Sequence, residues 1–175
     1  AGLLVGNGAL IDKLTNETTP YLGAKLSAQE AALLLRGLRT LPLRLQRHQA
    51  SALMLAKRIC EHPGVTAVHH PGLSPAPYSS LTGYGGLFSF EVDDSIDIPA
   101  FCNSLELFRL GVSWGGYESL VMPAEVSIRQ AGTPSAAIDF GVPARLIRLF
   151  VGLEDPEDLW RDLYTALTSP VHRER

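Results

Sequence analysis

The hydrophobic pattern of the first sixty residues is mostly that of helices. Residues 3–5 form a short apolar run that predicts a buried strand, and residues 9 to about 22 then have helical spacing. Ser27 and Glu30 stand at the spacing of a capping box, which predicts that a second helix begins there.

A proline interrupts this second helix. Pro42 has no backbone N–H to donate and disfavours helical geometry at Leu41, so we expect the helix to end or kink there. A third helical stretch runs over residues 43 to about 61 and stops at His62-Pro63-Gly64. Together the two stretches predict a long kinked arm.

Beyond Gly64 the pattern changes to the alternation typical of strands. We predict five strands, over residues 65–68, 87–92, 108–112, 119–122 and 146–151. Asp97 and Asp155, each followed closely by a proline, predict the starts of two helices that reach about residues 105 and 167. The pattern indicates the α/β class, as an α+β domain with a small mixed or antiparallel sheet and flanking helices.

Composition and charge narrow the class of protein. The 175 residues suit one domain, or one domain and part of another, and 46% hydrophobic against 19% charged residues argues against disorder. A net charge of −3 gives no reason to expect nucleic acid or an anionic membrane surface as a partner. No apolar run approaches the roughly 20 residues that span a bilayer. Two cysteines are too few for a disulfide scaffold, which favours the reducing cytoplasm.

The first residues have an unusual character for a chain end. The apolar run at residues 3–5 follows directly on Ala1, with neither an initiator Met nor the basic segment of a signal peptide. Since chain ends usually lie in exposed polar stretches, we expect the chain to be a fragment of a longer protein.

Arg148 is the first candidate for chemistry. It lies in the predicted strand 146–151, on the same face as Leu146 and Phe150. A guanidinium in such a place must be paired, because burying it alone costs several kcal/mol. Its planar fork suits bidentate binding of a carboxylate. On spacing alone, a structural ion pair with Glu154 or Asp155 is favoured over a ligand site.

The loop that follows residue 112 is the second candidate. Gly115 and Gly116 allow a sharp turn and close approach to a ligand, and Ser113 directly follows a predicted strand. By itself, however, a Gly-Gly pair after a strand is more often a plain turn.

Other polar features favour structural interpretations. His69-His70 has no second Cys/His cluster at a matching spacing, so we expect no metal site. Cys102 is expected to pack inside its short helix. A basic run on the helical arm indicates a solvated or interface surface and not a nucleic-acid site. It consists of Arg36, Arg39, Arg44 and Arg47.

The lysines also lack the setting of a catalytic group. All three fall on or beside helix patterns, and none lies at the Gly/Ser-rich turn after a strand that would suit covalent attachment of a cofactor. They are Lys13, Lys25 and Lys57.

Five segments in order resemble the Cys/Met-metabolism (trans-sulfuration) family of pyridoxal-phosphate (PLP) enzymes, which includes cystathionine β-lyase, cystathionine γ-lyase and γ-synthase, and methionine γ-lyase. The segments are Leu35-Arg36-Gly37-Leu38-Arg39-Thr40-Leu41 with Leu43-Arg44-Leu45-Gln46-Arg47-His48-Gln49, Pro71-Gly72-Leu73, Gly85-Gly86-Leu87-Phe88-Ser89-Phe90, Ser113-Trp114-Gly115-Gly116-Tyr117 and residues 146–155. The chain is similar to the C-terminal part of such an enzyme.

The resemblance implies the aspartate-aminotransferase-like fold. It implies that residues 1–26 end the large PLP-binding domain, residues 27–62 form the inter-domain helix, and residues 63–175 form the C-terminal α+β domain. Arg148, with Ser113 and Trp114 beside it, would bind the substrate α-carboxylate. This reverses the preference for an ion pair. The lysine that holds PLP and the other cofactor-binding residues would lie upstream, so the resemblance places no catalytic or cofactor-binding residue in this chain.

The resemblance also implies a function. The chain would be part of a carbon–sulfur lyase closest to cystathionine β-lyase, inactive alone, in a cytoplasmic homotetramer of dimers acting on a sulfur amino acid. Val112 stands where such β-lyases tend to carry Tyr and several γ-cleaving enzymes carry Glu, so it is a specificity candidate. The alternatives are a γ-synthase, a γ-lyase, an O-acylhomoserine sulfhydrylase, or a stand-alone binding or assembly domain.

Overall fold

Two units make up the chain, Ala1–Leu43 and Arg44–Arg175. The computed structural model describes residues 2–23, 25–73, 81–130 and 136–169. The boundary between the units falls within the range 27–62 that we expect to be the inter-domain helix, and the assignment of the three ranges to domains stays a prediction.

The first unit is helical. The Asn7 side chain caps the first helix, and Ser27 and Glu30 form the predicted capping box, with both of its hydrogen bonds present. No side chain in these helices is buried. Their bounds are α1 (Gly8–Lys13), a π-helical turn (Leu14–Thr18), α2 (Thr19–Leu22) and α3 (Ala28–Arg39).

The strand predicted over residues 3–5 is wrong. Leu3, Leu4 and Val5 are exposed and lie outside regular structure. A strand is stable only when a neighbouring strand takes up its backbone hydrogen bonds, and none of the described strands pairs with these residues. An apolar run alone does not supply that neighbour.

The break at Pro42 is confirmed. Helix α3 ends at Arg39, Thr40 has a non-helical backbone, and α4 (Leu41–Ile59) begins directly afterwards. Pro42 occupies the first turn of α4, where the missing N–H is not needed for an intrahelical bond.

A mixed five-stranded sheet forms the centre of the second unit. The strand order is β1-β2-β5-β4-β3, and all neighbours are antiparallel except β3 and β4, which are parallel. The predicted strand 108–112 is shorter than expected, because only two of its residues pair with β4. The strands are β1 (Val65–His69), β2 (Leu87–Val92), β3 (Arg109–Leu110), β4 (Leu120–Pro123) and β5 (Leu146–Phe150).

Four further helices accompany the sheet within the described residues. Asp97 and Asp155 cap two of them as predicted, while the other two were not predicted. No helix in the described ranges is both long enough and apolar enough to cross a bilayer. The four are α5 (Ile98–Ser104), α6 (Ala124–Gln130), α7 (Ala136–Asp139) and α8 (Pro156–Thr168).

One face of the sheet forms the hydrophobic core with α4, α5 and α8. Strand alternation sends Phe88 and Phe90 of β2 and Ile147 and Leu149 of β5 into this core. The ring of Phe90 meets that of Phe101 on α5 edge-on, with centroids 6.2 Å apart. The alternate residues of β2 and β5 therefore lie on the other face.

An ion pair joins two of the core helices at the surface. Arg58 of α4 donates to both carboxylate oxygens of Glu157 on α8, at 2.7 and 2.8 Å. This hydrogen bonding lowers the pKa of the Glu157 carboxyl. Glu157 is a useful reference carboxylate, since it is exposed and lies on the helix that follows the β5 segment.

His70 is a buried histidine next to the sheet. Its Nδ1 accepts a hydrogen bond from the Gly72 N–H at 2.9 Å, and its ring lies against Tyr84 and Phe88, with centroids 6.0 and 5.7 Å away. Nε2 has no hydrogen-bond partner among the described residues. Burial lowers the pKa of His70, because the charged ring would lose its hydration.

The stability of this unit is expected to fall as the pH is lowered from about 6.5, the ordinary histidine pKa that His70 regains on unfolding. Below that pH the unfolded chain binds a proton that the folded chain resists until its own lower pKa is reached. Urea unfolding over a pH series measures the dependence. The fall of the unfolding free energy with decreasing pH should be smaller in His70→Gln. It should be retained in His69→Gln, in which the exposed neighbouring histidine is replaced. An equal slope in both variants would contradict this assignment.

Candidate functional site

Arg148 lies at the middle of the central strand, on the face of the sheet opposite the core. In β5 it pairs with Ser89 of β2 on one side and with Met122 of β4 on the other. Phe150, two residues along the same face, is buried, and its ring lies 5.2 Å from that of His48 on α4. Arg148 itself is half-buried. A partly desolvated cation therefore stands on an otherwise largely apolar part of the sheet.

The guanidinium of Arg148 is held by a backbone carbonyl and not by an acid. Its Nη2 donates to the carbonyl oxygen of Val112 at 2.7 Å, and within the described ranges it forms no ion pair. The structural ion pair with Glu154 or Asp155 is wrong. Glu154 accepts hydrogen bonds from Ser119, and Asp155 caps α8.

This arrangement leaves most of the donor capacity of Arg148 available. A guanidinium has five N–H donors in a planar fork, and the Val112 carbonyl takes one of them. The carbonyl fixes the orientation of the group without neutralising its charge. A carboxylate can therefore bind to the remaining N–H groups, where the partly desolvated surroundings strengthen a charge-assisted hydrogen bond.

The predicted loop begins at the same carbonyl. Val112 and Trp114 are 65% and 66% exposed, and Ser113 between them is exposed as well. Gly115 has a φ of +86°, which a residue with a side chain adopts only at a cost. The structure thus brings Arg148 against the backbone that directly precedes Ser113 and Trp114, which spacing in the sequence could not show.

The other end of the loop is held by hydrogen bonds that were not predicted from the sequence. Ser119 is fully buried and donates to the Glu154 carboxylate through its N–H and its hydroxyl, at 2.8 and 2.9 Å. The Leu153 N–H donates to the Tyr117 carbonyl at 2.8 Å. In the sequence, the one sign of this attachment is a glutamate, Glu154, directly after the apolar residues 151–153, where a charged side chain needs a partner.

The two candidate histidines do not share a site. His69 is exposed and bonds to Glu91 at 2.7 Å, while His70 faces Tyr84 and Phe88 in the interior. Cys102 is buried in α5 as predicted, and burial raises the pKa of its thiol to about 11. The thiol stays protonated near neutral pH, so it is a poor nucleophile there.

Comparison with known proteins identifies the family. The family model described as Cys/Met metabolism PLP-dependent enzyme matches residues 1–168. The chain belongs to this family. The cofactor expected from the resemblance, PLP, is thereby confirmed for the family, as is the class of carbon–sulfur lyases and related enzymes.

Individual relatives agree with the family. The chain is 38% identical over 174 residues to L-methionine gamma-lyase of Pseudomonas putida, and 38% identical over 170 residues to cystathionine beta-lyase of Escherichia coli. The matches cover 95% and 93% of this chain. They cover 44% and 42% of those relatives, so the chain spans less than half of their length.

Solved structures confirm the fold. An O-acetylhomoserine (thiol)-lyase from Campylobacter jejuni, which carries N'-pyridoxyl-lysine-5'-monophosphate, matches with a TM-score of 0.79 and 31% identity over 94% of this chain and 41% of its own. A cystathionine gamma-lyase from Micromonospora echinospora matches with a TM-score of 0.77 and 35% identity over 86% of this chain and 41% of its own.

The residues of this chain fit one side of a PLP site. Arg148 offers a cationic fork for a substrate carboxylate, but the described part of the second unit places no lysine beside it. Lys57 is exposed and borders a cavity formed with residues of α4 alone. Lys13 and Lys25 lie in the first unit. Within the described part of the second unit, Arg148 can therefore bind an anionic group and has no lysine beside it.

Proposed function

We propose that the chain is the substrate-carboxylate-binding part of a PLP-dependent carbon–sulfur lyase similar to cystathionine β-lyase. One observation carries the proposal. The Arg148 guanidinium is oriented by the Val112 carbonyl, has no acidic partner among the described residues, and borders an exposed loop that offers further donors. This is the arrangement that captures an anion, because the charge is left uncompensated and its fork is held in place.

Three residues bind the substrate carboxylate in this proposal. Arg148 pairs with the α-carboxylate of the amino acid, and the Ser113 hydroxyl with the Trp114 backbone N–H donates to the same group. Fixing the carboxylate fixes the direction of the Cα–H bond, and such positioning is a large part of what an enzyme contributes. PLP, when bound, supplies the electron sink for breaking the Cα–H and carbon–sulfur bonds.

The proposal extends to the organisation of the protein. Residues 1–26 end the PLP-binding domain, residues 27–62 link the domains, and residues 63–175 form the C-terminal domain. The lysine that holds PLP belongs to a part of the protein outside this sequence, so the chain does not turn over by itself. The active assembly is a cytoplasmic homotetramer built from dimers.

A second candidate substrate is favoured by Val112. Its apolar side chain is 65% exposed directly before the carboxylate-binding loop, where it offers no polar group to the far end of a substrate side chain. Cystathionine ends in a second charged amino-acid group, whereas methionine ends in an apolar thioether. A methionine-type γ-elimination is therefore the second candidate, and the Pseudomonas putida relative is an L-methionine gamma-lyase.

The experiment is a cleavage assay with the protein that contains this chain, supplied with PLP. Release of a thiol and a keto acid is expected. Cystathionine and methionine are offered in parallel, because preference for one or the other decides between the two candidates. The 175-residue chain alone is expected to release no thiol and to show no stable cofactor absorbance. If the protein only adds thiol to O-acetylhomoserine, or is inactive with all three, the lyase proposal fails.

A further inference from the structure

The carboxylate-binding loop, residues 113–117, is hydrogen-bonded to the sheet only at its two ends. Within the described ranges, no hydrogen bond is formed by Ser113, Trp114, Gly115 or Gly116. The first attachment is the Val112 carbonyl on Arg148. The second begins at residue 117. Because the loop has no attachment in its middle, its position depends on these two ends.

The second attachment is a buried network centred on Ser119. The Ser119 hydroxyl accepts from the Gly152 N–H at 2.8 Å and donates to one oxygen of Glu154 at 2.9 Å. The Ser119 N–H donates to the other oxygen of the same carboxylate at 2.8 Å. The N–H and the hydroxyl of a fully buried serine are thereby satisfied by one half-buried carboxylate and one backbone group.

The backbone after β5 lies tightly against the end of the loop. The Leu153 N–H donates to the Tyr117 carbonyl at 2.8 Å. A Cβ atom added at Gly152 would contact the Tyr117 carbonyl oxygen and lie 2.6 Å from the Glu118 carbonyl carbon, too close for any side chain. The chain from Arg148 to Glu154 therefore holds the loop at both ends.

We propose that Glu154, acting through Ser119, is a positioning residue that places Ser113 and Trp114 beside the Arg148 guanidinium. The inference rests on the proposed function, since it assumes that the loop binds the substrate carboxylate. Glu154 touches neither substrate nor cofactor in this role. Its carboxylate fixes where the loop returns to β4, and the loop in turn fixes the donors. Losing the carboxylate weakens substrate binding more than it slows the chemical step.

The test compares Glu154→Gln, Ser119→Ala and their double variant with the control Glu157→Gln. The control also removes a carboxylate charge that accepts two hydrogen bonds, but on α8 in the pair with Arg58. Steady-state kinetics are measured on the protein that contains this chain. Loop exchange is measured on the same proteins without substrate, so that this readout does not depend on activity. It is the amide hydrogen exchange of Ser119, Gly152 and Leu153, whose N–H groups form the hydrogen bonds at the end of the loop.

We expect Glu154→Gln to raise KM about tenfold and to lower kcat less than about threefold. Loop exchange at Ser119, Gly152 and Leu153 should become at least about tenfold faster, while that of β2 and β5 is unchanged. The double variant should be no worse than the more severe single variant, because the two residues act as a unit. Glu157→Gln should alter neither readout.

Unchanged loop exchange in Glu154→Gln overturns the positioning role, as does a fall in kcat without a rise in KM. If Arg148→Ala raises KM and Glu154→Gln does not, only this inference fails. If Arg148→Ala also leaves KM unchanged, the proposed function fails, and loop exchange still decides whether Glu154 holds the loop. Should Glu154→Gln unfold, Ser119→Ala, which removes a single hydroxyl, takes its place with the same expected results.

Discussion

Replacing Arg148 by alanine is expected to lower kcat/KM for the sulfur amino acid by about 10²- to 10³-fold, with most of the loss in KM. Two charge-assisted hydrogen bonds to the carboxylate would be lost, each contributing about 1.5–3 kcal/mol. The loss falls below the sum because Ser113 and Trp114 remain. Steady-state kinetics with the preferred substrate measure it.

Two further variants separate binding from structure. Arg148→Lys keeps the charge but loses the planar fork, and should recover only part of the activity. Arg161→Ala removes an arginine whose partner is Asp158 in the same helix, and should leave the kinetics unchanged. Since Arg148→Ala also frees the Val112 carbonyl, thermal unfolding is followed in parallel. Wild-type KM in Arg148→Ala with an intact fold would show that the carboxylate binds elsewhere.

The elements of the second unit could largely be predicted, because their signals are local. Alternation along residues 87–92 and 146–151 found β2 and β5 and placed Arg148 on the face of Leu146 and Phe150, which in the structure lies opposite the core. Asp97 and Asp155 marked helix starts through their own side chains. Each of these signals involves only a few neighbouring residues. Their own backbone geometry decides the outcome, so no distant part of the chain is needed to predict it.

The partners within the site could not be predicted, because they are distant along the chain. Arg148 bonds to a carbonyl 36 residues earlier, and Glu154 bonds to a serine 35 residues earlier. Proximity in sequence suggested that Arg148 and Glu154 would pair with each other. Sheet order decides otherwise, since β4 lies directly beside β5 and brings residues 112–119 to it. The family resemblance supplied the proposed role of Arg148, which spacing could not.

Phe90→Ala is expected to reduce the free energy of unfolding by about 4 kcal/mol, the range found when a buried phenylalanine is truncated. Phe90 is fully buried in β2 and its ring meets Phe101 of α5 edge-on, so the change opens a cavity between sheet and helix. Phe140→Ala is the matched control, because it removes the same atoms from a side chain that is 85% exposed. The control should lose less than about 0.5 kcal/mol.

Urea unfolding followed by near-ultraviolet circular dichroism measures both variants. The two substitutions have the same chemistry, so their difference reports burial alone. Because Phe90 lies on the core face and its neighbour Ser89 pairs with Arg148 on the other face, a cavity under β2 is expected to disturb the carboxylate site only through loss of the fold. Near-wild-type KM at a temperature where Phe90→Ala is still folded would agree with this. Equal losses of stability in the two variants would contradict the assignment of Phe90 to the core.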